Sequence, residues 1–172
     1  MINSDIYLTL IGKEVSAKDS KLLFDYLNND SELIVHEPFD EDIIIPQDNW
    51  KSYESNNLGL FVEVVNSCIA SISFSSGFNR NINKDHFRRY GHNLPYGFTF
   101  EDSRNQIRNK YGDPVKESEV FDQYYLSDYI VVGVLFNPSS EIISFLSFGY
   151  REIFSNPDLR PNRISLIFDS LS

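Results

Sequence analysis

Cysteine occurs once in this chain of 172 residues, at Cys68, which excludes an internal disulfide and any zinc site built on cysteine pairs. Long apolar runs are missing too. No stretch approaches the roughly 20 residues that a membrane-spanning helix needs. The opening Met1-Ile2-Asn3-Ser4-Asp5 has neither a basic n-region nor a small-residue cleavage site, so a cytoplasmic protein is expected. Bases are scarce: 15 Lys+Arg stand against 25 Asp+Glu, for a net charge of -10. That surface repels nucleic-acid phosphates and anionic membranes, so neither is expected as a partner. The eight glycines are scattered and form no phosphate-cradling loop, so no nucleotide cofactor is expected. The three histidines, His36, His86 and His92, lack metal-ligand spacing, and no metal is expected either.

What is present describes a globular chain: 41% apolar, 15% aromatic and 23% charged. Its charge is uneven. Residues 1–60 hold twelve acids and four bases, a charge of -8, whereas 61–120 carry +1 and the remainder -3. Self-repulsion of this size has two readings, solubility or long-range steering of an electropositive partner. Under the second, the partner-binding residues are Glu37, Phe39, Asp40, Glu41, Asp42, Asp48 and Glu54. Phe39 is the apolar anchor within the acidic rim, while Trp50 and Tyr53 read as core. Asp40, Glu41 and Asp42 could also serve as an acid/base pair, but adjacent carboxylates without a pocket form a solvated face. No catalytic residue is expected. Cys68 reads as a core residue because alternation places Cys68, Ala70, Ile72 and Phe74 on one strand face.

An internal repeat organises the chain. Ser16-Ala17-Lys18-Asp19-Ser20-Lys21 matches Thr99-Phe100-Glu101-Asp102-Ser103-Arg104, each a capped helix start. Leu22, Leu23, Tyr26 and Leu27 mark the first helix; Ile107 and Tyr111 mark the second, which Gly112 and Pro114 close. Trp50, Tyr53, Leu60 and Val62 then match Phe121, Tyr124, Val131 and Gly133 at a constant offset, and Cys68 to Phe74 match Ile142 to Phe148. The predicted fold is α+β, with two tandem helix-plus-antiparallel-sheet repeats in one compact domain. The first repeat covers 8–75 with an insert at 31–49, a linker covers 76–93, and the second repeat covers 94–150. Within the insert, strands are expected at Leu33 to His36 and Asp42 to Ile45, and the extension 151–172 carries a last strand at Ile164 to Phe168. The bases Arg80, Lys84, Arg88 and Arg89 make the linker read as solvated.

The stretch Leu94-Pro95-Tyr96-Gly97-Phe98-Thr99-Phe100-Glu101-Asp102-Ser103-Arg104, with Tyr111-Gly112-Asp113-Pro114 following, resembles the LPxGLxFxxSRxxVxxxLGxP motif of small bacterial immunity proteins. Those proteins belong to polymorphic-toxin and contact-dependent-inhibition loci. Leu10-Ile11-Gly12-Lys13 resembles their N-terminal element. The tandem plan is also similar to the β-lactamase inhibitor protein and the outer-membrane assembly lipoprotein fold. The resemblance implies a non-catalytic, cofactor-free immunity protein that neutralises a cognate toxin domain, with the acidity suiting a basic nuclease. The other reading is an accessory or scaffold protein-binding module unrelated to toxins.

Overall fold

The computed structural model describes residues 5–30, 33–36, 50–77 and 88–151. β-Branched and aromatic residues alternate with small polar ones over most of this length, and such segments settle as strands. In chain order these are β1 (Leu33–His36), β2 (Trp50–Ser55), β3 (Leu60–Val65), β4 (Cys68–Ser75), β5 (Lys116–Ser118), β6 (Phe121–Tyr125), β7 (Ile130–Phe136) and β8 (Ile143–Tyr150). The helices are α1 (Asp5–Leu8), α2 (Lys18–Asn28) and α3 (Arg104–Tyr111). Asn66 and Ser67, both with positive φ, make the tight turn between β3 and β4.

The expected pair of tandem helix-plus-sheet repeats is not what forms. β4 pairs antiparallel with β8, from Ser71↔Gly149 to Ser75↔Phe145, so all strands join one sheet of eight in the order β1-β2-β3-β4-β8-β7-β6-β5. The physical reason is edge pairing. Separate sheets would leave β4 and β8 as long edges with unpaired backbone groups, and joining them removes both. The joint also fuses the apolar faces. One row across the sheet reads Tyr53, Val62, Ile72, Phe148, Val132 and Tyr124. Against it pack Tyr7 and Leu10 from the N-terminal segment, Leu23 and Leu27 of α2, Ile107 of α3, and Leu94 and Phe98, all in one core cluster.

Several local expectations are corrected. Helix α2 has Ala17 at its N-cap, whose methyl side chain cannot accept a hydrogen bond, and the Ser16 hydroxyl donates to Glu14 Oε2. Leu22 is 67% exposed, and Phe24 takes the buried position. The second helix opens at Ser103 rather than Thr99: Ser103 Oγ accepts from Gln106 N, and Gln106 Oε1 accepts from Ser103 N, a reciprocal cap. Asp102 instead accepts the Thr99 N–H at 2.8 Å, holding the turn that precedes the helix. The closing Gly112 stands at its expected place, with φ 84°. Cys68 is half-buried and outside the core, because a register shift between Glu63 and Val64 places Ile69 opposite Val64 on the core face.

The linker is not wholly solvated. Ser76 bridges Arg89, Tyr90 N donates to Ser75 O at 2.9 Å, and the Tyr90 ring is 3% exposed against Phe74. The strand expected at Asp42 to Ile45 and the last strand expected at Ile164 to Phe168 lie outside the described residues, as do Arg80 and Lys84. The strand expected at Leu33 to His36 is β1.

Candidate partner-binding surface

Of the residues expected to meet a partner, Glu37, Phe39, Asp40, Glu41, Asp42 and Asp48 lie outside the described residues. Glu54 is described. It sits in β2 between Ile34 of β1 and Phe61 of β3, on the face opposite the core, half-buried and not without a partner. The structure therefore does not present Glu54 as a free acidic contact. Nearby acids of the first 60 residues are exposed: Asp19 pairs with Lys13 at 2.8 Å and Asp25 with Lys21 at 2.5 Å, with every partner at least 40% exposed. Such pairs leave the surrounding field largely unchanged, since water screens them and each contributes little.

Part of the positive charge of the remaining chain is used internally, at Arg104 and Arg108. Arg104 and Arg108 sit one helical turn apart on α3, so both reach the same side of the helix. There they clamp Asp122 of β6, which is 0% exposed: Arg104 Nε donates to both carboxylate oxygens at 3.1 Å, and Arg108 Nε donates to Oδ2 at 3.0 Å. Tyr124 OH donates to the same Oδ2 at 3.0 Å. Burial alone would raise the Asp122 pKa, but hydrogen bonds from Arg108, Arg104 and Tyr124 outweigh it and hold the group below the usual carboxylate range. Burial, then the Asp122 charge, push the Tyr124 phenol up. Arg104 also donates to the carbonyls of Ser118 and Glu119, so this cluster rivets α3 to the β5–β6 corner. Sequence reading missed it because Asp122 lies 18 residues beyond Arg104, and only the Arg104/Arg108 spacing was a local signal.

A second feature missed from sequence is an open cleft of about 750 Å³ along the segment 89–101 and Asp5. Its floor is Tyr90, Leu94, Phe98 and Phe100, all buried. Its rim holds His92, Asn93, Tyr96 and an ion pair between Arg89 and Glu101, and that hydrogen bond lowers the Glu101 pKa. Burial and the neighbouring Tyr7 raise the pKa of the Tyr90 phenol. The rim is held in an unusual conformation. Tyr96 has φ 55°, its N–H donates to Asp5 Oδ1 at 3.3 Å, and its carbonyl accepts from Tyr111 OH at 2.8 Å. Lys110 Nζ donates to the Gly97 carbonyl at 2.8 Å. The arrangement can receive a mixed polar and aromatic side chain from another molecule. Among the described residues, no group of three or more His, Cys, Asp or Glu could hold a metal ion, and no helix is long and apolar enough to cross a membrane.

No family model matches the chain, and no curated protein does either. Among solved structures it is similar to a cysteine-rich secretory protein from Staphylococcus aureus, with a TM-score of 0.53 at 15% identity, over 88% of this chain and 49% of that one. It is also similar to an extracellular protein containing an SCP domain from Bacillus anthracis, with a TM-score of 0.52 at 10% identity, over 88% of this chain and 48% of that one. The chain thus spans about half the length of each. At these identities the likeness concerns the fold.

Proposed function

We propose that this protein is a non-catalytic binding protein whose acidic N-terminal third captures a basic protein partner, and that it serves as an immunity protein against a toxin domain. One observation carries the reading: the -8 charge of residues 1–60 is not offset by the rest of the chain. Arg89, Arg104 and Arg108 pair with acids of their own half, and Lys110 donates to backbone carbonyls. An uncompensated field of this kind accelerates encounter with a domain of opposite sign. A nuclease that must bind nucleic-acid phosphates is such a domain. Inhibition is then steric and electrostatic, with the acidic segment across the toxin's substrate groove, and it takes place in the cytoplasm of the producing cell.

The test is growth protection. A sensitive host carrying the toxin domain encoded beside this chain's gene should survive only when the chain is co-expressed, and the two should co-purify. Death despite co-expression, with no complex formed, overturns the reading. A second reading is favoured by the comparison: both similar structures are of bacterial proteins described as secretory or extracellular, and each is about twice as long. Under it, this chain is an accessory binding module of a longer exported protein. Immunoblotting the native host separates the two, since one reading expects a cytosolic polypeptide and the other an exported one.

A further inference from the structure

The cleft along residues 89–101 belongs to a loop that closes on itself. Its ends are clasped, because the Arg89 guanidinium lies 5.2 Å from the centroid of the Phe100 ring and pairs with the Glu101 carboxylate. Between the ends the loop is filled by its own side chains, Leu94, Phe98 and Phe100 being at most 6% exposed. Compact loops of this kind carry function on their surface. The rim is built in advance of any ligand. Tyr96 is held in the left-handed region from α1 by Asp5 and from α3 by Lys110 and Tyr111. A bulky residue in that conformation is strained, and such strain collects where a ligand is clamped. The result is one displayed ring. Tyr96 stacks over the buried Phe148 at an interplanar angle of 23°, yet it is 44% exposed.

Chemistry narrows the ligand. The charged side chains of the cleft are already engaged: Arg89 pairs with Glu101, and Asp5 accepts the Tyr96 N–H and is not without a further partner. A charged ligand would give up its water for a lining that, among the described residues, offers no unspent opposite charge at neutral pH. What the rim offers is the His92 imidazole, the Asn93 carboxamide, the Thr99 hydroxyl and the Tyr96 phenol, all on exposed residues. Each of these, the imidazole in its neutral form, both donates and accepts. A ligand hydroxyl needs partners of that kind, whereas a peptide main chain needs a straight backbone edge to align with. This loop has no such edge, since the chain bends at His92 and turns again over Pro95–Gly97. We propose that the cleft binds an uncharged saccharide, with the apolar face of one sugar ring on Tyr96 and the ring's hydroxyls on His92, Asn93 and Thr99. A volume of about 750 Å³ admits a mono- or disaccharide. This binding does not require a toxin partner.

The experiment titrates the isotope-labelled full chain with cellobiose, maltose, lactose and N,N′-diacetylchitobiose at millimolar concentrations and follows backbone amides by NMR. Saturable shifts at Gly91, Asn93 and Gly97 are expected with at least one of them. The dissociation constant should rise roughly tenfold in Tyr96→Leu and in Asn93→Ala. Asn93→Ala alters only an exposed side chain, so it reads binding where Tyr96→Leu also loosens the loop. Equal binding of the methyl glycoside marks the end of a glycan chain as the source, and its exclusion marks a free sugar; both support the proposal. No saturable shift at these amides, tighter binding of glucosamine or glucuronate than of the neutral sugars, or unchanged affinity in both variants overturns it. So do shifts there with an uncharged glutamine-containing tetrapeptide when no sugar produces them.

Discussion

Asp122 is the residue on which the second half of the chain most depends. Its carboxylate is fully buried and is shared by Arg104, Arg108 and Tyr124, so its removal strands two guanidinium groups at a helix–sheet junction. Asp122→Ala should destabilise the protein by on the order of 3 kcal/mol, measured by urea unfolding. The pH dependence has a definite sign. The folded pKa is depressed, so the stabilisation is complete above the unfolded value of about 3.9 and is lost as pH falls from there through the lower folded value. Asp122→Asn should flatten that acid limb and leave other pH effects in place. Gly59 is a different kind of dependency. A Cβ at that position would lie 2.2 Å from the Arg88 carbonyl oxygen and 2.8 Å from the Tyr90 nitrogen, at φ +62°. Gly59→Ala should therefore cost more than about 1 kcal/mol, whereas Gly91→Ala, with nothing within 4 Å, should change the unfolding midpoint little.

Among the elements, α3 and β8 show how far local pattern carries. The Ser103–Gln106 reciprocal cap and the Gly112 stop are local events, and both residue types stand in the sequence at the spacing such ends require. The true start was nonetheless displaced from Thr99 to Ser103, because either hydroxyl could cap and only the Asp102–Thr99 turn decides between them. Ser103→Ala should cost about 1 kcal/mol and lower helicity by circular dichroism. Strands β2 to β4 and β6 to β8 were legible from alternation. The β4–β8 pairing that joins them was not, since no alternation pattern states which strands become neighbours. Nor was the bulge at Glu63/Val64, which moves Cys68 out of the core. The cleft along 89–101 was invisible for the same reason: its floor and rim converge only because Tyr96 takes a left-handed conformation pinned by Asp5, far away in the chain. Leu146, 0% exposed at the centre of β8 between Phe74 and Val134, tests the joint directly. Leu146→Ala should cost on the order of 2 to 5 kcal/mol in denaturant melts. A shift near zero would place the joint outside the cooperative unit.

At the scale of the whole molecule, charge is uneven along the chain, with -8 in residues 1–60 and -2 in the remainder. The sheet ties both halves into one body at β4 and β8, while Arg89, Arg104 and Arg108 pair with acids of their own half. Under the proposed function, a basic partner is drawn by the charge of residues 1–60. Reversing Asp40, Glu41 and Asp42 to Lys takes that third from -8 to -2. If the field steers association, the on-rate for the toxin domain should fall by tenfold or more at low salt, and its dependence on ionic strength should flatten. The difference should shrink near physiological salt, where the screening length is about 8 Å. Phe39→Ala should act on the other rate, because an apolar anchor contributes after encounter and its loss speeds dissociation. Neither change should move the unfolding midpoint if these residues act only on the partner. Surface plasmon resonance at several salt concentrations separates the two effects. Unchanged rates in the triple reversal would make the acidic stretch a solvated face and direct the search to the cleft, where His92→Ala and Tyr96→Ala are the variants to compare.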